Sequence, residues 1–201
     1  MSRIITLIVW AIAAIAAEAQ TNRLCEGDLL FCISKESNGI TDVTQGIEGK
    51  LIDHVAIVHI ANDTVYALEA IHNGVCINPI DSFLHRRDSL VLVGRLRDTA
   101  NVSNSVQRAL KYIGRPYDFM FMPDDNEIYC SELVQKTYRN ANGELIFHTI
   151  PMSFHDKTGT VIPYWKDYYA RKGRAVPEGE PGSNPGDLSR SDKLDILFRY
   201  Y

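Results

Sequence analysis

Apolar positions recur along this chain in blocks, some alternating and some at helical spacing, and together they predict an α+β fold. Leu29, Leu30, Phe31, Cys32 and Ile33 follow the Gly27-Asp28 turn as a short apolar strand. Residues 34–50, rich in Ser, Asn, Gly, Thr and Gln, read as a long polar connection, a kind of loop that is often functional. Residues 53–60 are β-branched and apolar, 65–70 return as the second strand, and Asn62-Asp63 between them predicts a hairpin. Two more strands are expected at 74–77 and 90–96, separated by a short helical turn over 81–86. Val102, Val106, Ala109, Leu110 and Ile113 make the stripe of a helix over 101–113, with Gly114 as its C′ residue. A further helix begins at Cys130. From there Leu133, Val134, Thr137 and Tyr138 share one face, and Glu132, Gln135, Lys136 and Arg139 the other. Residues 151–173 are aromatic, with a helix expected near 164–172; 177–187 read as an irregular wrap and 193–201 as a terminal strand.

The N-terminus stands apart. Arg3 precedes an apolar run over 4–17, and Ala17-Glu18-Ala19 has the small-x-small form of a cleavage site. Residues 1–19 therefore read as a signal peptide, cleaved after Ala19, leaving a single domain over 20–201 that is secreted or periplasmic. The run falls short of the ~20 residues of a membrane span, so no stable span is expected after processing. With 45% hydrophobic and 23% charged residues, the composition is that of a globular domain with a proper core. A net charge of −4 and the lack of any Lys/Arg run argue against nucleic acid as a partner.

The candidate chemistry lies in three residues. Cys130 occupies a helix start, where the macrodipole and unpaired N–H groups favour a thiolate; an inert buried thiol is the alternative. The acidic residues at 124–127 are expected to cap that helix, since they lack the ligand spacing of a calcium loop. In the hairpin, an even-length loop makes facing residue numbers sum to an odd value. His54 and Glu69 then share a face, opposite or one diagonal apart, close enough to hydrogen-bond. Nucleophile, base and orienting carboxylate are thus all available. His59 has the parity of the other face, and the remaining histidines lack metal-ligand spacing, so neither a metal nor a cofactor is expected. Spacing alone does not pair Cys25, Cys32 and Cys76, the cysteines besides Cys130.

The segments GDLLF (27–31), DHVAIV (53–58), YALEAIHNGV (66–75), GRPYD (114–118) and YCSELV (129–134) occur in that order. In this order the chain resembles the circularly permuted NlpC-type papain-like cysteine peptidases, the YiiX/YaeF-like group, over roughly residues 25–175. The resemblance implies a permuted papain-like fold, with an antiparallel sheet against the cysteine-bearing helix. It implies Cys130 as nucleophile, His54 as general base, Glu69 as the third residue and Tyr117 near the oxyanion. Two positions depart from the pattern: Asp53, where Ser or Thr is common, and Ala56, where a glycine is usual; Asp53 is expected to raise the histidine pKa. The implied activity is hydrolysis of an amide through a thioacyl-enzyme, on peptide or amide substrates such as peptidoglycan fragments. A lipid-directed acyl hydrolase or acyltransferase is the alternative, which an apolar channel beside Cys130 would favour. A non-catalytic ligand-binding module using the same cleft is another.

Overall fold

Near-continuous apolar strands form one antiparallel sheet, buried on both faces, in the computed structural model, which describes residues 24–86 and 90–200. The signal peptide expected over 1–19 lies outside the described residues. The strands are β1 (Leu29–Ile33), β2 (Ile52–Ala61), β3 (Thr64–Ile71), β4 (Gly74–Pro79), β5 (Val91–Leu96) and β8 (Leu194–Tyr200), in the order β4-β3-β2-β1-β5-β8. A separate two-stranded ribbon joins β6 (Ile150–Pro151) to β7 (Pro181–Gly182). Among the described residues no helix is long and apolar enough to cross a membrane.

Each face of the main sheet carries its own core. Leu29, Phe31, Val55, Ile57 and Leu68 pack against Val106 and Ala109 of α2 (Val102–Leu110) and against Leu133 and Val134 of α3 (Cys130–Thr137). On the other face Leu30, Cys32, Ala56, Val58 and Ala67 pack against Ile80 and Phe83 of α1 (Ile80–Arg86). A third cluster joins Met152, Phe154, Trp165 and Tyr169, the last two from α4 (Pro163–Arg171). Its rings meet edge to face, Phe154 and Trp165 at 5.1 Å between centroids, which suits their quadrupoles.

Three local expectations are corrected. The α2 helix ends at Leu110, and Gly114, at φ +85°, serves a later turn in which its N–H donates to the Val75 carbonyl. The stretch 177–187 holds β7 and the start of α5 (Pro185–Ser189), whose N-cap Asn184 accepts from the Asp187 N–H. The third concerns α3, which has no polar outer face: Glu132 and Gln135 are each only 4% exposed. Sheet, α2 and α5 enclose it, so its amphipathic spacing marks which side meets the main core and not which side meets water.

Candidate active site

The β2–β3 hairpin sets the first two groups of the site. Asn62 (φ 49°) and Asp63 (φ 58°) both take the left-handed conformation that a two-residue type I′ turn requires. The register runs from Ala61↔Thr64 to Ile57↔Leu68, and its continuation puts Glu69 opposite Ala56, one diagonal from His54. His54 Nε2 lies 2.8 Å from Glu69 Oε2, with both residues buried. On β1, Cys32 pairs with His54 but Ile33 pairs with Ile52, so Asp53 is an extra residue on β2. Such a bulge re-aims the side chains beside it. Asp53 turns toward the preceding segment. Its Oδ2 accepts from Asn38 Nδ2 at 2.9 Å and ties down the polar loop.

Glu69 is fully enclosed, and its other oxygen is also used. Oε1 accepts from Asn78 Nδ2 at 2.9 Å and from Arg86 Nη2 at the end of α1. Burial alone would push the carboxyl pKa up, but His54 and Arg86 outweigh it and hold the pKa down at about 2. Sequence reasoning missed Asn78 and Arg86. The available signal was a basic residue closing the helical turn that follows β4. Arg86→Ala is expected to cost about 1 kcal/mol at pH 7, because its side chain is 39% exposed and the pair is partly screened. The folded-state pKa is depressed, so this contribution exists above the ordinary value of 4.5 and is lost as pH falls toward 2. Urea titrations of both proteins at pH 7 and pH 3 check this: the gap should narrow at pH 3, and Arg86→Lys should restore part of it at pH 7.

Cys130 comes from the opposite layer, as the first residue of α3, and meets His54 where that helix abuts β2. Burial raises the thiol pKa. The hydrogen bond and charge of His54, with the N–H groups of Val55 and Ser131, lower it further than burial raises it, so the net shift is downward. With Nε2 bonded to Glu69, Nδ1 is the ring nitrogen left for the thiol. The Tyr117 hydroxyl is pushed well up by burial and by the neighbouring Cys130, so it stays protonated and able to donate.

The acidic loop does not cap α3. Tyr129, the N-cap residue, makes no side-chain cap bond, and Asp124 Oδ1 accepts from Asn126 N within the loop. Glu132, in the third helical position, faces the Tyr129 N–H instead, as the glutamate of a capping box does. Burial raises the Glu132 pKa to about 7 despite a 2.8 Å pair with Lys136, and its Oε2 has no partner. Glu132→Gln is therefore expected to stabilise the protein at pH 8, by up to about 3 kcal/mol for a shift of that size. The raised pKa makes the native charge a cost that grows as pH rises from 4.5 to 7, so the gain should vanish below pH 4.5. Thermal melts at pH 4 and pH 8 check it; equal shifts at both would assign the effect to packing.

A narrow apolar pocket, open to solvent, adjoins Cys130. Val43 of the polar loop, Phe121, Met152, Phe154 and Trp165 supply its apolar lining, and Tyr117 also borders it. Trp165 Nε1 donates to the Gly39 carbonyl at 2.7 Å and so fastens the loop over the pocket. The other sequence candidates lie elsewhere: His59 pairs with Glu26 (3.1 Å) and His155 with Glu178 (2.9 Å). No disulfide joins the cysteines.

Comparison with known proteins bears on the family and the fold. Residues 23–198 match the model of a family described as permuted papain-like amidase enzyme, YaeF/YiiX, C92 family. The chain is 32% identical over 144 residues to the uncharacterized protein YiiX of Escherichia coli (strain K12), spanning 70% of this chain and 67% of that protein. The fold superposes with a TM-score of 0.72 on a crystal structure described as the metalloprotein YiiX of Escherichia coli O157:H7, at 24% identity. That likeness covers 88% of this chain and 97% of the other. Among the described residues here, no group of three or more His, Cys, Asp or Glu side chains is placed to hold a metal ion.

Proposed function

The chain belongs to the permuted papain-like amidase family of the YaeF/YiiX type, and from that premise we propose that it hydrolyses amides through a thioester on Cys130. The observation that carries the proposal is the buried Cys130–His54–Glu69 chain, in which the thiol pKa is lowered and the carboxylate stays ionised. His54 Nδ1 takes the thiol proton as Sγ attacks the carbonyl carbon. The Tyr117 hydroxyl and the Cys130 N–H are the donors for the developing oxyanion. The imidazolium then protonates the leaving amine, and a thioester remains. Water, deprotonated by His54, releases the acid and restores the thiol. Glu69 keeps the ring in the tautomer with Nε2 protonated.

A cell-wall peptide is the substrate favoured if residues 1–19 direct export. N-terminal sequencing of the secreted protein should then begin at Gln20. The pocket beside Cys130 supports a second reading, in which the amide carries an acyl lipid. Incubation with muropeptides and, separately, with N-acyl lipids, followed by mass spectrometry, tests both. Products of amide cleavage that Cys130→Ala fails to make support the proposal. No cleavage of either class, with the thiol intact, would overturn it.

A further inference from the structure

One residue of the pocket wall holds a backbone conformation that its type disfavours. Phe121 sits at φ 52°, in the left-handed region, where a bulky side chain is strained and persists only if its surroundings hold it. They hold it from both sides. Asp118, 3% exposed, accepts from the Met120 N–H through Oδ1 and from the Met122 N–H through Oδ2, each at 2.6 Å. Two tyrosines of α4 bind the neighbouring carbonyls: Tyr168 Oη donates to that of Phe119 at 2.8 Å, and Tyr169 Oη to that of Met120 at 3.0 Å.

This grip fixes where the Phe121 ring stands. The ring lines the narrow pocket beside Cys130 and meets two of its other walls edge to face, Tyr129 at 5.3 Å and Trp165 at 5.6 Å between centroids. With its backbone held at both flanks, it is not free to turn aside for a larger ligand. The leaving amine must lie by His54, which protonates it, and His54 does not line the pocket. Tyr117 and Cys130 do, so the pocket extends from the carbonyl on the acyl side.

Building on the amidase reading, we propose that Phe121 determines acyl specificity as a fixed wall that admits short acyl groups and rejects long ones, with Asp118 as its positioning residue. A long chain enters only by displacing the ring, against its two aromatic contacts and the hydrogen bonds that set its backbone. The substrate class is therefore an amide with a short acyl group.

The test compares butanoyl and octanoyl 4-nitroanilide. Wild-type kcat/KM should favour the butanoyl compound. Phe121→Ala should raise the octanoyl-to-butanoyl ratio by about 10-fold or more, because the space opened takes up several methylenes. A general loss of activity cancels in that ratio. Asp118→Asn keeps the shape but loses one acceptor, and it should raise the ratio by a smaller factor; a merely structural role would lower both substrates together. Phe121→Gly should melt above Phe121→Ala, since only glycine takes the left-handed backbone without strain. The reverse order would mean that the backbone is not fixed there and would remove Asp118 from its part. A wild type that prefers octanoyl, or an unchanged ratio in Phe121→Ala, overturns the filter. Calorimetric binding of butanamide and octanamide to Cys130→Ala and to Cys130→Ala/Phe121→Ala separates this outcome from failure of the amidase reading. If neither anilide is cleaved, octanamide binding gained with the second substitution keeps the filter and sinks the hydrolytic reading; no gain sinks both.

Discussion

Cys130→Ala is expected to lower amide hydrolysis by something on the order of 10⁴- to 10⁶-fold, as removal of a nucleophile does in other hydrolases that form acyl-enzymes. The substitution removes one sulfur at the start of α3 and leaves the backbone ladder of the helix in place, so its melt should stay close to that of the wild type. The thiol itself gives the mechanistic readout. His54 and the N–H groups of Val55 and Ser131 lower its pKa, whereas burial raises that of Cys76. Iodoacetamide should therefore modify Cys130 ahead of Cys76, although Cys130 is the more buried of the two. In His54→Ala that advantage should disappear. Equal labelling rates for the two thiols in the wild type would mean an inert core cysteine.

Glu69→Gln is expected to cut kcat on the order of 10³- to 10⁴-fold, because the amide can hold the ring in the wrong tautomer and cannot stabilise an imidazolium. After His54→Ala, the same change should cost little more, since groups acting as a unit are strongly non-additive. Full additivity in a double-mutant cycle on kcat/KM would separate Glu69 from His54. The substitution should also lower stability, because it leaves Arg86 facing a neutral amide at a buried position. The carboxyl is held at about 2 against an ordinary 4.5, which bounds the loss at about 3 kcal/mol near neutral pH. A depressed carboxyl stabilises above its unfolded pKa, so the loss should shrink as pH falls through 4.5 toward 2. Denaturant titrations across that range follow it.

The elements that repeat a local pattern were legible from sequence. Apolar runs bounded by turn residues gave β1 to β5 and β8 to within a few residues, because strands buried on both faces stand out from the polar segments that join them. The Asn62-Asp63 turn and its parity brought His54 and Glu69 to the same face, since side-chain direction in a hairpin follows from counting. The Cys130 helix start followed from apolar spacing alone.

Other features depend on segments far apart in the chain. The spacing in α3 placed Glu132 on a wet face, and three neighbouring elements closed over it. Asp53 turned to Asn38 because a bulge shifted β2 against β1, and a strand's own sequence does not encode an extra residue relative to its partner. Arg86 reaches Glu69 across the α1–β3 contact, and the pocket joins residues from 40–44, 117–131, 152–165 and 183–185. Periodicity determined which residues of this protein are buried and which pair within a hairpin. Tertiary packing decided which charges are compensated and where space remains beside the thiol. Both depend on which surfaces meet, and no local pattern specifies that.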